Sequence, residues 1–98
     1  MSASPALDKT AAVATDRGLA CFSVTATADP GTLSRLVEPF AKLNLVPHRL
    51  HAATVPGAEG ARLEVDLQLA DLTPERARRF AETLRQVVTV ETVLLSFA

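Results

Sequence analysis

Past residue 18 the hydrophobic positions change period several times, and each change marks a new element. Phe22, Val24 and Ala26 alternate with Cys21, Ser23, Thr25 and Thr27, the period of a strand with one buried face. Asp29-Pro30-Gly31 stops it. Asp29 can cap a helix, and Pro30 then sits where its missing N–H costs nothing. Leu33, Leu36, Val37, Phe40 and Leu43 follow at helical spacing, which predicts a first helix over 30–43. Pro39 lies inside it and is expected to kink the helix or end it early. Asn44 suits a left-handed cap at its end.

A second, poorer strand is expected over 46–55, with Pro47 placing it at an edge or at a strand's first residue. Pro56-Gly57-Ala58-Glu59-Gly60 reads as a turn. The third strand has the cleanest alternation: Leu63, Val65, Leu67 and Leu69 on one face, Arg62, Glu64, Asp66 and Gln68 on the other. Thr73 then caps and Pro74 opens a second helix, with Ala77, Phe80, Ala81, Leu84 and Val88 on its apolar face. Residues 90–97 form a fourth strand with Val93, Leu95 and Phe97 inward. The order β-α-β-β-α-β, with two right-handed crossovers around a hairpin, gives a ferredoxin-like sandwich. Its four-stranded antiparallel sheet carries both helices on one face, and the poor second strand falls at an edge.

Composition narrows the function. Ninety-eight residues, 48% hydrophobic with net charge −1, describe one small domain. A core of that size is stable only marginally, so burying a further face against a partner would help. Near-zero charge and the absence of Trp and Tyr argue against a nucleic-acid binder. No apolar run reaches the roughly 18–20 residues of a membrane-spanning helix. The single Cys21 excludes an internal disulfide and fits a reducing, cytoplasmic setting. Residues 1–18, rich in Ala, Ser, Thr and Asp, read as a flexible arm preceding a domain at 19–98. Asp8, Lys9, Asp16 and Arg17 interrupt any signal-peptide apolar stretch.

Candidate chemistry is sparse. His48 and His51, three residues apart on a strand, point to opposite faces and cannot chelate one ion. Arg76, Arg78, Arg79 and Arg85 interleave with Glu75 and Glu82, as on a solvated helix face. Cys21 has no histidine beside it and no reason to be a nucleophile. A metallochaperone would need Cys-x-x-Cys where this chain has Ala-Asp-Pro-Gly. An RNA-recognition sheet would need aromatic platforms where it has Cys21, Ser23, Thr25, Glu64, Asp66 and Gln68. No polar constellation suggests catalysis, and neither a metal nor a cofactor is expected.

The run from Phe22 through Asp29-Pro30-Gly31-Thr32-Leu33-Ser34-Arg35-Leu36 resembles the opening of an ACT domain, the small-molecule-sensing module of amino-acid metabolism. Within that family the Leu-Ser-Arg-Leu stretch, and the ending from Leu84 to Val93, are most similar to the small regulatory subunit of acetolactate synthase. The resemblance covers 19–98 and implies a non-catalytic subunit that activates or regulates a catalytic large subunit in branched-chain amino-acid biosynthesis. Flavin, thiamine diphosphate and magnesium would then belong to the large subunit. Two alternatives are a free-standing amino-acid sensor acting on another enzyme and a small dimeric enzyme of the same topology.

A helix N-terminus presents unpaired N–H groups and a partial positive charge, so the Gly31, Thr32 and Leu33 amides can hold a carboxylate. Gly31 carries no side chain to keep a ligand off the backbone. The resemblance places the rest of the effector site at Ala28 and Asp29 and at the start of the second strand, Asn44 and Val46, often contributed by a neighbouring domain. Relatives that bind effectors commonly carry Asn where this chain has Ala28 and Val46, whose side chains cannot hydrogen-bond. Pro47 removes a further donor, and Asp29 adds a negative charge. Either the ligand differs, or only the assembly role is kept. Leu50, Ala52 and Val55 lie on an edge strand with little charge beyond Arg49, so a homodimer paired through that strand is expected.

Overall fold

The computed structural model describes residues 18–98. The arm expected over 1–18 therefore lies outside the described residues, apart from Gly18. Six elements follow in the expected order: β1 Leu19–Thr27, α1 Thr32–Lys42, β2 Arg49–Val55, β3 Arg62–Ala70, α2 Pro74–Arg85 and β4 Val90–Phe97. The sheet order is β2-β3-β1-β4, with every neighbouring pair antiparallel. This is the ferredoxin-like sandwich. β1 and β3 are central, and β2 and β4 are the edges. No helix among the described residues is long and apolar enough to cross a membrane.

The core follows the alternation of the central strands. Ala20, Phe22, Val24 and Ala26 of β1 and Val65, Leu67 and Leu69 of β3 are buried. Their registers, such as Phe22↔Leu67 and Val24↔Val65, put both sets on the face the helices cover. Phe80 of α2 joins the layers. Its ring stacks on Phe40 of α1 at 5.2 Å and meets Phe22 of β1 edge-on at the same distance. Aromatic pairs of this geometry add about 0.5–1.5 kcal/mol beyond the area they bury.

The start of α2 and the end of α1 follow the capping chemistry of the sequence. The Thr73 hydroxyl accepts from the Arg76 N–H at 3.2 Å, with Pro74 in the first turn. Asn44 adopts φ 58. The Leu45 N–H then reaches the Phe40 carbonyl and the Asn44 N–H the Ala41 carbonyl, the paired bonds that close a helix through a left-handed residue. Gly57 is required for a different reason, since a Cβ there would collide with the Gly60 carbonyl.

Several expectations need correction. Pro39 does not end α1. It is buried in the core, and the helix continues to Lys42 with the Leu43 N–H bonded to the Pro39 carbonyl at 2.9 Å. Leu33 and Leu43 are partly exposed, whereas Thr32 is fully buried. The second strand begins at Arg49 rather than at residue 46, because Pro47 and the exit from α1 come first; Val46 is 85% exposed. Val88 is 92% exposed, since α2 ends at Arg85 and the turn that follows puts Val87, not Val88, against the core. Phe97 shares a face with buried Val93 but is 47% exposed. It ends an edge strand that has no further strand beside it.

These burials predict unequal costs for two phenylalanines that the sequence pattern places inward alike. Phe80→Ala should lower the unfolding free energy by about 3–5 kcal/mol, and Phe97→Ala by about 1 kcal/mol or less. Urea melts followed by far-ultraviolet circular dichroism will measure both.

Candidate effector site

The segment between β1 and α1 is a tight turn. The Thr32 N–H bonds to the Asp29 carbonyl at 3.0 Å. Gly31 lies at φ −87 and ψ −6, which with Pro30 before it is a type I turn beginning on an aspartate. The Asp29 carboxylate accepts from the Gly31 N–H at 3.1 Å, and the Ser34 hydroxyl donates to the Gly31 carbonyl at 3.1 Å. Asp29 thus braces the turn, rather than capping α1 directly.

Thr32 is the structural centre of this end. Its hydroxyl donates to the Thr27 carbonyl at 3.1 Å and is hydrogen-bonded to the Thr89 hydroxyl at 2.8 Å. The Thr27 N–H reaches the Thr89 carbonyl at 2.9 Å. The end of β1, the start of α1 and the turn before β4 are therefore tied through one threonine with no exposed surface.

This geometry sorts the residues that sequence reasoning placed at the site. The Gly31 and Thr32 amides already have acceptors in Asp29. Among the described residues the Leu33 amide has none, so it is the donor left for a carboxylate. Ala28 and Asp29 are exposed beside it. Gly31 is not demanded by conformation, its φ being negative. Nor does packing require it. A Cβ would make ordinary contacts with the Arg35 guanidinium at 3.4 Å and the Asp29 carboxylate at 3.6 Å.

Arg35 is a residue that the sequence reading missed. It follows Gly31 by four positions, one helical turn, and so returns to the same face. No ion pair holds it among the described residues, and its guanidinium lies beside Gly31, near the Asp29 carboxylate. The spacing alone was enough to find it.

Asn44 and Val46 lie elsewhere. α1 carries the chain through eleven residues, about 16 Å at the helical rise, away from the turn. They stand at the end of the sheet where Arg49 pairs with Gln68 and Gln68 with Cys21. The turn stands at the other end, where Val55 pairs with Arg62 and Arg62 with Thr27. One chain does not bring the two halves together.

Two of the four arginines of α2 are held in ion pairs. Arg79 pairs with Glu75 at 3.1 Å. Arg85 pairs with Glu82 at 2.8 Å and also donates to the Val93 carbonyl at 2.9 Å. No group of three or more His, Cys, Asp or Glu side chains among the described residues is arranged to hold a metal ion.

A family model described as an ACT-like domain matches residues 13–98. No curated protein matches the chain. Among solved structures, the ACT domain of GTP pyrophosphokinase from Chlorobium tepidum is similar with a TM-score of 0.62 and 14% identity, over 81% of this chain and 97% of that one. The C-terminal domain of the MgtC protein from Mycobacterium tuberculosis is similar with a TM-score of 0.58 and 15% identity, over 84% and 88%. At these identities the likeness is one of fold.

The hydrogen bonds make opposite predictions for two adjacent residues. Thr32→Val should cost about 1–2 kcal/mol of stability, because it deletes a buried hydroxyl with two partners. Gly31→Ala should be neutral, or stabilising by up to about 1 kcal/mol, because its backbone suits alanine. Thermal melts of the two variants will separate them.

Proposed function

Because the chain belongs to the ACT-like domain family, we propose that it is a non-catalytic regulatory domain that works as a two-fold pair joined through β2. In this reading it acts on a catalytic large subunit in the manner of an acetolactate synthase small subunit. The observation that carries the assembly is the placement of the half-sites at opposite ends of one chain. In an antiparallel two-fold pairing of β2 with its copy, the start of one β2 lies beside the end of the other. The partner's loop between α1 and β2 then arrives at the end that carries Asp29, Leu33 and Arg35.

The two edges of the sheet support the choice of β2. The register of β4 against β1 shifts between Thr25 and Ala26, leaving Glu91 as an extra residue. Glu91 then pairs with Arg62 at 2.9 Å, and Arg85 engages the Val93 carbonyl. Bulges and side chains of this kind guard an edge against pairing. β2 pairs with β3 without a register shift, has no proline, and carries only Arg49 and His51 as ionisable side chains. It is the edge open to a copy.

The effector in this reading is a small carboxylate held by the Leu33 amide and Arg35. Ala28 and Val46 offer no side-chain hydrogen bond to an ammonium group, which favours assembly over tight amino-acid sensing. A free-standing sensor remains the second reading, favoured by the Arg35 cation and the dispensable glycine at the turn.

Light scattering at micromolar concentration should give a dimer mass, and a monomer would contradict the pairing. Co-expression with a thiamine-dependent large subunit should yield a co-purifying complex with raised activity. Titration calorimetry with valine, leucine and isoleucine should show no tight binding; tight binding of any one would move the assignment to the sensor.

A further inference from the structure

The end of the molecule opposite the β1–α1 turn carries a groove that the proposed function does not use. It lies between the end of α1 and the first turns of α2 and has a volume of about 350 Å³, within the range of small-molecule sites. Leu43, Leu45, Leu72 and Phe80 line its floor, with Arg76 and Arg79 at the rim. The one other lining residue, Thr83, has its hydroxyl committed to the Arg79 carbonyl at 3.1 Å. The groove is thus carbon below and guanidinium above.

Charge at the rim is unbalanced. Glu75 neutralises Arg79, but Arg76 forms no ion pair among the described residues. Arg76 also sits in the first turn of α2, where the helix dipole disfavours a cation and favours an anion. Arg76 is solvent-exposed there, its guanidinium free to meet an anion. No carboxylate lines the groove, and Glu75 at its rim is already engaged by Arg79.

We propose that this groove binds a small monocarboxylate with a branched or aromatic apolar body, its carboxylate on Arg76 and its body against Leu43 and Leu45. An amino acid fits less well, because its ammonium group would sit between two arginines in a groove that no free carboxylate lines. A neutral molecule of the same shape would gain nothing from Arg76. Within one chain the groove is separate from the Leu33 amide and Arg35; because the proposed pairing brings the loop carrying Leu43 and Leu45 to a partner, Arg76 and Thr83 on α2 are the amides that report on this groove alone.

The test is a two-dimensional amide NMR titration of the full chain with 3-phenylpropionate, its alcohol 3-phenylpropan-1-ol, and phenylalanine, which adds the ammonium group. A fragment of this size should half-saturate at about millimolar concentration. The acid should shift the amides of Leu43, Leu45, Arg76 and Thr83 and leave those of Gly31 and Leu33 in place. The alcohol and phenylalanine should bind at least about fivefold more weakly, as should the acid to Arg76→Gln. Equal binding of acid and alcohol, shifts centred on Gly31 and Leu33, or no saturable shift by about 10 mM would each overturn the proposal. The comparison of ligands on the unaltered chain keeps the test decisive even where a variant folds poorly.

Discussion

A helix that returns antiparallel to the strand before it separates the two ends of that strand by its own length. Here α1 carries the chain from the turn at Asp29 back to Asn44, about 16 Å away, and β2 then starts from that far end. The backbone donors at the mouth of α1 and the loop at its exit therefore cannot face one another within a single chain. Any site that uses both needs a second chain, and in the pairing we propose that chain is a copy lying along β2.

The mouth of α1 is held by chemistry that leaves little of it for a ligand. Asp29 takes the Gly31 N–H on its carboxylate and the Thr32 N–H on its carbonyl. Thr32 spends its hydroxyl on Thr27 and Thr89. The helix start is thereby fixed against the sheet, while Leu33 and Arg35 on its outer side are left for a partner or an anion. At the opposite end of α1, the left-handed Asn44 closes the helix, and Leu43 and Leu45 remain as the wall of the second groove. One short helix thus separates a polar site from an apolar one.

Much of the fold was legible because the sheet has one wet face. Cys21, Ser23 and Thr25 alternating with Phe22, Val24 and Ala26 could only be a strand with one side covered, and β3 repeats the pattern. The caps at Thr73 and Asn44 were legible because each side chain does its work locally. What failed depended on distant partners. Thr32 reads as a polar first-turn residue, and only its bond to Thr89, far along the chain, explains its burial. Val88 continues the helical phase of Leu84, but the chain must leave the helix to bring Val90 opposite Ala26. Phe97 has the right phase, yet phase cannot report that the strand is an edge. At the candidate site, the turn was legible from Asp29-Pro30-Gly31, whereas the occupation of two of its three amides by Asp29 was not. Arg35 was legible from its spacing to Gly31 and was overlooked because it resembles an ordinary exposed helix arginine.

In the proposed assembly β2 is a paired strand in the working protein. Amide hydrogen exchange across β2, compared between a concentrated and a highly diluted sample, tests it most directly. The Arg49–Val55 amides turned away from β3 should be protected in the concentrated sample and exchange freely on dilution, while β1 and β3 stay protected in both. Free exchange of those outward amides at every concentration, with the rest of the sheet intact, would contradict it.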